Sequence, residues 1–183
     1  VNSNLLCKEF LIDDKNELES VSHALLTKGT ARTIELNSLL DYQDTIKKLK
    51  HHQAIILGTC LSMPRNADYN VASINYKEKH GDSKCVTRTK DNYSFSKSKS
   101  IMMIDFDGHK NFSYSSPDTF RQILIELLPE LADVEMLIVP SSSSGIYIAG
   151  CKPMKKSGMH VYIIVDDGTK IKDVGERLKY ACW

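Results

Sequence analysis

What this chain lacks narrows the field before any motif is read. No apolar run approaches the roughly 20 residues that a membrane-spanning helix requires, and no basic, apolar and small-residue series opens the sequence. The expected location is therefore cytoplasmic, with no membrane partner. The five cysteines (Cys7, Cys60, Cys85, Cys151 and Cys182) are odd in number, scattered and never spaced C-x-x-C. That argues against a disulfide framework and against a zinc ribbon, and leaves small buried or indifferent thiols. His51 and His52 are adjacent rather than at metal-ligand spacing, so they read as a surface pair. No internal repeat is evident, and low complexity is confined to the serine quartet at 141–144. A net charge of only +1 does not announce a nucleic-acid binder.

What is present is an ordinary globular composition. Of 183 residues, 42% are hydrophobic and 26% charged, enough for one domain, or one domain with an appended lobe, around a real core. Charge is unevenly placed. Arg88, Lys90, Lys97 and Lys99 lead into an acidic strand end, and Lys152, Lys155 and Lys156 share a later loop.

The first part of the chain reads as a small α/β lobe. DDKNELESVSHALL, residues 13–26, has an acidic start and apolar Leu18, Val21 and Leu25 at helical spacing, with Lys28-Gly29 as a stop. ARTIEL, residues 31–36, predicts a short strand. SLLDYQDTIKKLKHH, residues 38–52, predicts an amphipathic helix whose basic residues suit the C-terminal end of the dipole. QAIILG, residues 53–58, predicts a buried strand ended by Gly58. Residues 59 to about 94 read as loops with short strands, CVTRT at 85–89 foremost. The expected organisation is an N-terminal lobe over 1–84 and a chemical core over 85–183.

The second half carries stronger patterns. SIMMID, residues 100–105, is a continuous apolar strand. SSPDTFRQILIELLPEL predicts a helix with Ser116 as N-cap, Pro117 at its first position, and Phe120, Ile123, Leu124 and Leu127 on one face. VEMLIVP, GIYIAG and MHVYIIV predict three more strands, the last of them antiparallel neighbours joined by short turns. TKIKDVGERLKYACW predicts a helix from about Ile171. This order describes an α+β sheet with helices covering one face.

Chemistry concentrates at three strand ends. Asp105 and Asp107 are two residues apart at the end of SIMMID, so their side chains share one face while Phe106 enters the opposite layer. Two carboxylates that close repel, and a hard divalent cation such as Mg²⁺ or Mn²⁺ resolves the conflict. A plain strand exit into an Asp-Gly turn gives the same letters. Ser141, Ser142, Ser143 and Ser144, followed by Gly145, offer hydroxyls and amide N–H groups suited to phosphate, or a simple polar turn. Ser157-Gly158-Met159-His160 then opens an apolar strand, which puts His160 at a strand end beside a lysine-rich loop.

Taken in order, IMMIDFD, a helix, further strands and then SGMH resemble the first two motifs of archaeo-eukaryotic primases and primase-polymerases, of the plasmid- and phage-type replication primases in particular. The resemblance covers about residues 85–183. It implies an RRM-like antiparallel or mixed sheet with helices on one face, and a template-directed primase-polymerase of a plasmid, phage or mobile element. On that pattern Asp105 and Asp107 hold Mg²⁺ or Mn²⁺ in a two-metal nucleotidyl transfer. His160 contacts the phosphates of the incoming nucleoside triphosphate, aided by Ser141, Ser142, Ser143, Ser144, Lys155, Lys156 and Ser157. Arg88 and Lys90 are expected to touch nucleotide or single-stranded DNA template, and a replicative helicase is an expected partner in cis or in trans. The family's third motif, a strand ending in a lone carboxylate, has no counterpart before Trp183. Only Asp166-Asp167, Asp173 and Glu176 follow, so the chain is read as stopping short of that strand.

Two rivals stand beside this reading. D-x-D-G after four apolar residues also resembles a haloacid-dehalogenase-like phosphatase with Asp105 as nucleophile. Against it, His109 follows Gly108 where that family has Thr or Val, a whole lobe precedes the motif, and Asp166-Asp167 as the late acidic pair follows too soon. The other rival is a nucleotide- or nucleic-acid-binding module without catalysis.

Overall fold

The computed structural model describes residues 6, 8–15, 18–22, 26–106, 116–141, 144, 146 and 158–181. Among these the fold is mixed α+β, with four α-helices and four small sheets. They form two compact units. One holds the described residues up to Asp13 and from Glu19 to Ser96; the other holds those within Asp14–Leu18 and from Lys97 onward.

In the first unit, β1 (Lys8–Ile12) and β2 (Leu18–Ser22) make a two-stranded sheet. β2 replaces the helix expected over 13–26. Three apolar residues at helical spacing are a weak signal, and Ser20, Val21 and Ser22 are poor helix formers that accept an extended backbone readily. β3 (Lys28–Arg32) begins three residues before the predicted ARTIEL strand and overlaps it only at Ala31 and Arg32, and Gly29, expected as a stop, is inside it. α1 (Leu39–Lys48) is the second predicted helix, shortened at its C-terminus. Ser38 Oγ accepts from the Asp41 N–H at 3.1 Å, which satisfies one of the helix's orphan donors, while Asp41 accepts from the Asn37 N–H at 3.0 Å just ahead of the cap.

The predicted strand over QAIILG is absent. Ile55–Gly58 is half-buried without a pairing partner, and Ile56 packs on the core by its side chain alone. Gly58, at φ 91°, turns the chain where a Cβ would lie 3.2 Å from the Ser94 carbonyl oxygen. There follow β4 (Thr59–Cys60), β5 (Asp68–Ala72), α2 (Ile74–His80), β6 (Val86–Thr87) and β7 (Tyr93–Ser94). β5 and α2 fall in the stretch read as loops with short strands, in which α2 is not expected. Their signals are the burial of Tyr69 and Val71 at alternate positions, the Ser73 cap and Gly81 in the left-handed region at φ 62°. β3 pairs antiparallel with β5, β5 parallel with β6, and β4 antiparallel with β7. Thus β6 and β7, which lie past the boundary expected at residue 84, pair back onto β5 and β4. The core here is Cys60, Tyr69, Val71 and Val86.

In the second unit the predicted elements recur closely. β8 (Ser100–Phe106), α3 (Pro117–Leu127), β9 (Leu137–Pro140), β10 (Met159–Val165) and α4 (Ile171–Ala181) follow in order. Ser116 caps α3, its Oγ accepting from the Thr119 N–H at 3.2 Å, with Pro117 at the first helical position. Asp167 caps the 3-10 turn ahead of α4 through the Thr169 N–H at 2.9 Å. The strand expected over GIYIAG lies, except for Ile146, outside the described residues.

The sheet order is β8-β10-β9, with β10 antiparallel to both neighbours. β8 and β9 therefore run the same way, joined through α3, with β10 inserted between them. Met102 on β8, Met159, Val161 and Ile163 on β10, Phe120 and Leu124 on α3 and Leu178 on α4 share one buried cluster. Both helices thus pack on the same face of the sheet. Among the described residues no helix is long and apolar enough to cross a membrane.

Candidate functional site

The candidate side chains are placed by strand pleat and register. Residues directly opposite in an antiparallel ladder share a face. His160 faces Asp105 on one side and Val139 on the other; Tyr162 faces Met103 and Leu137; Ile164 faces Ile101. These residues alternate with the buried Met159, Val161 and Ile163, so they occupy the face turned away from α3 and α4. Phe106, the residue after Asp105, points the other way. Its ring lies 5.2 Å from that of Phe120 in the helix layer, as the alternation predicts. The packing of Phe106 thereby aims Asp105 at the opposite face.

At the end of that face the His160 Nε2 stands 3.4 Å from the Asp105 Oδ1. The Asp105 side chain is 48% exposed and that of His160 is 29% exposed, so both are reachable from solvent while the imidazole is held by its surroundings. The Tyr162 ring meets the imidazole edge-on at 6.4 Å. An accessible carboxylate with an imidazole beside it can bind a cation, hold a proton or present a donor to an anionic group.

Ser141 and Ser144 close on the same strand end. The Ser141 N–H donates to the Gly158 carbonyl at 2.9 Å, and the Ser144 hydroxyl donates to that same carbonyl. The hydroxyls of Ser141 and Ser144 are 3.0 Å apart, and the Ser144 N–H donates to the Ser141 carbonyl at 2.9 Å. Gly158 is buried and admits no side chain. A Cβ there would lie 2.7 Å from the Ser141 Oγ and 3.0 Å from the Phe106 carbonyl oxygen. This glycine is needed for close approach of neighbouring backbone.

Of the residues singled out from the sequence, Asp105, His160, Ser141 and Ser144 are thus gathered at one end of one sheet. Asp107, Ser142, Ser143, Lys155, Lys156 and Ser157 lie outside the described residues. Arg88 and Lys90 belong to the first unit. Both are exposed, and the Arg88 guanidinium donates to the Leu26 carbonyl. Gly158 is the residue that sequence reasoning misses, and its place directly before β10, between a serine and the strand, is the signal for close packing.

Asp105 offers the hard oxygen that Mg²⁺ or Mn²⁺ prefers, so the donor chemistry suits such an ion. Among the described residues no group of three or more His, Cys, Asp or Glu side chains gathers that could hold a metal. The later acidic residues stand elsewhere. Asp166 pairs with Lys99 at 3.7 Å, and the Asp167 carboxylate accepts from Thr169, which lowers its pKa. Both lie just beyond the Val165–Ser100 register pair, at the opposite end of β8 and β10 from Asp105. Five residues of strand separate the two ends, or about 17 Å.

No protein-family model matches the chain, and no curated protein or solved structure matches it either.

Proposed function

We propose that the second unit is the catalytic half of a template-directed primase-polymerase, which joins nucleoside triphosphates on single-stranded DNA in the replication of a plasmid, phage or related mobile element. The observation that carries this reading is the cross-strand pairing of Asp105 with His160, 3.4 Å apart at one end of the sheet. The motifs of the sequence resemblance, distant along the chain, meet there. The order β8-β10-β9 with both helices on one face supports an RRM-like sheet in this unit.

On this reading Asp105 and Asp107 hold Mg²⁺ or Mn²⁺, which when bound neutralises the triphosphate and assists attack by the 3′-hydroxyl. His160, beside Asp105, faces the phosphates of the incoming nucleotide and supplies a donor to them. Lys155 and Lys156 add positive charge, and Arg88 and Lys90 contact nucleotide or template. A replicative helicase, in cis or in trans, would present the single strand, and the cytoplasm would supply the triphosphates. The phosphatase reading is less well supported, because Asp166 and Asp167 sit at the far end of the strands from Asp105.

The test is incorporation of labelled nucleotide on a primed and an unprimed single-stranded template with Mn²⁺ or Mg²⁺, using the full-length protein. Asp105→Ala/Asp107→Ala is expected to bring incorporation down to background. Equal incorporation by the variant sinks the assignment. Phosphate release from a small phosphomonoester without template would favour the phosphatase, and nucleotide binding without turnover a binding module.

A further inference from the structure

We propose that Ser144 and Ser141 are positioning residues that hold the start of β10 against the end of β8, and so set His160 against Asp105, rather than ligands of phosphate. This rests on the reading of Asp105 and His160 as the working pair. A serine hydroxyl has one proton to donate. That of Ser144 goes to the Gly158 carbonyl. Since the Ser144 proton is committed, the 3.0 Å contact between the two hydroxyls is a donation from Ser141 to Ser144. Both protons are thus used inside the loop. An ionised phosphate oxygen needs a donated proton, so Ser144 can serve it only by releasing the Gly158 carbonyl.

The clip sits where it controls the site. The carbonyl it grips belongs to the peptide that enters Met159, one residue before His160. A Cβ at Gly158 would meet both the Ser141 side chain and the Phe106 carbonyl, and Phe106 directly follows Asp105. One buried glycine therefore links the loop after β9, the end of β8 and the start of β10. If the Ser144 hydroxyl is removed, the Gly158 carbonyl keeps only the Ser141 N–H, and the first residues of β10 gain freedom to shift away from Asp105.

The experiment uses the full chain labelled with ¹⁵N-histidine and needs no turnover. The first readout is the change that Asp105→Asn causes in the His160 ring resonances. It is expected to be clear in the parent chain, to fall by at least half in a Ser144→Ala background, and to return in Ser144→Thr, which restores a hydroxyl. Protection of the Ser141 amide against exchange should fall roughly tenfold in Ser144→Ala. Should Ser144→Ala fail to fold, Ser141→Ala is the second variant; it removes the donor to Ser144 but spares the carbonyl bond, and a reduced response is expected. An undiminished Asp105→Asn response in the folded serine variants overturns the proposal. So does a tenfold loss of affinity for inorganic triphosphate with the His160 response intact, which would make Ser144 a phosphate ligand. A chain that incorporates no nucleotide would sink the polymerase reading and leave these outcomes readable.

Discussion

The first unit is built from short strands and polar ties, the second from long strands and an apolar layer. In the first, β4, β6 and β7 are two residues each, and the small core is accompanied by specific pairings. Arg32 grips Asp68 through two nitrogens at 2.6 and 2.9 Å, Lys28 meets Asp82 at 3.0 Å, and the Tyr93 hydroxyl donates to that of Tyr69 at 3.1 Å. In the second, β8 and β10 match over seven residues each, with Val161 and Ile163 sealed beneath two helices. The difference teaches where each unit is vulnerable. Apolar burial is insensitive to proton concentration, whereas carboxylate ties depend on it.

The largest effect is expected in the second unit. Phe120→Ala removes a buried ring that packs on Phe106, and should cost about 3–5 kcal/mol. Amide exchange in β8 and β10 would report it, with protection in β5 unchanged. Loss of protection in both units alike would break the contrast.

A smaller, pH-dependent effect is expected in the first unit. The Lys28 ammonium, followed by the Cys85 thiol, holds the Asp82 carboxyl down at about 2. An unfolded aspartate titrates near pH 3.9. The sign follows: the tie contributes fully above about pH 4 and is lost as pH falls through 2, because the unfolded chain takes up the proton first. Protection of the Val71 and Val86 amides should therefore weaken between pH 4 and 2, and Asp82→Asn should flatten that slope. An unchanged slope in the variant would remove Asp82 from the account. The smallest effect is expected from Arg177→Ala in the second unit. Its partner Glu130 is as exposed as the arginine itself, and the urea midpoint should not move measurably.

The same contrast explains how much could be read beforehand. β8, β10, α3 and α4 were legible because each carries a long pattern with its own punctuation, such as Ser116-Pro117 before α3. The pleat of β8 also foretold that Asp105 and Phe106 would part to opposite faces. In the first unit, two-residue strands carry no periodicity, and pairing with distant residues overrode local signals. Thus β2 formed where Leu18 and Val21 suggested a helix, and the apolar run at 53–58 found no ladder. At the site, the meeting of Asp105 with His160 was foreseeable only through the motif order. The role of Gly158 was not, since nothing local says that a serine hydroxyl and a carbonyl from two other segments press upon it.

The alternation along β8 ties the chemistry of this sheet to its foundations. Inserting or deleting one residue in β8 would turn Asp105 toward the helices and bring Phe106 out beside His160, so the Asp105–His160 pairing and the core would fail together. A change of two residues would restore the faces but slide the carboxylate past its partner. Variation in this unit should therefore accumulate in side chains and in the connecting loops, while the length of β8 stays fixed.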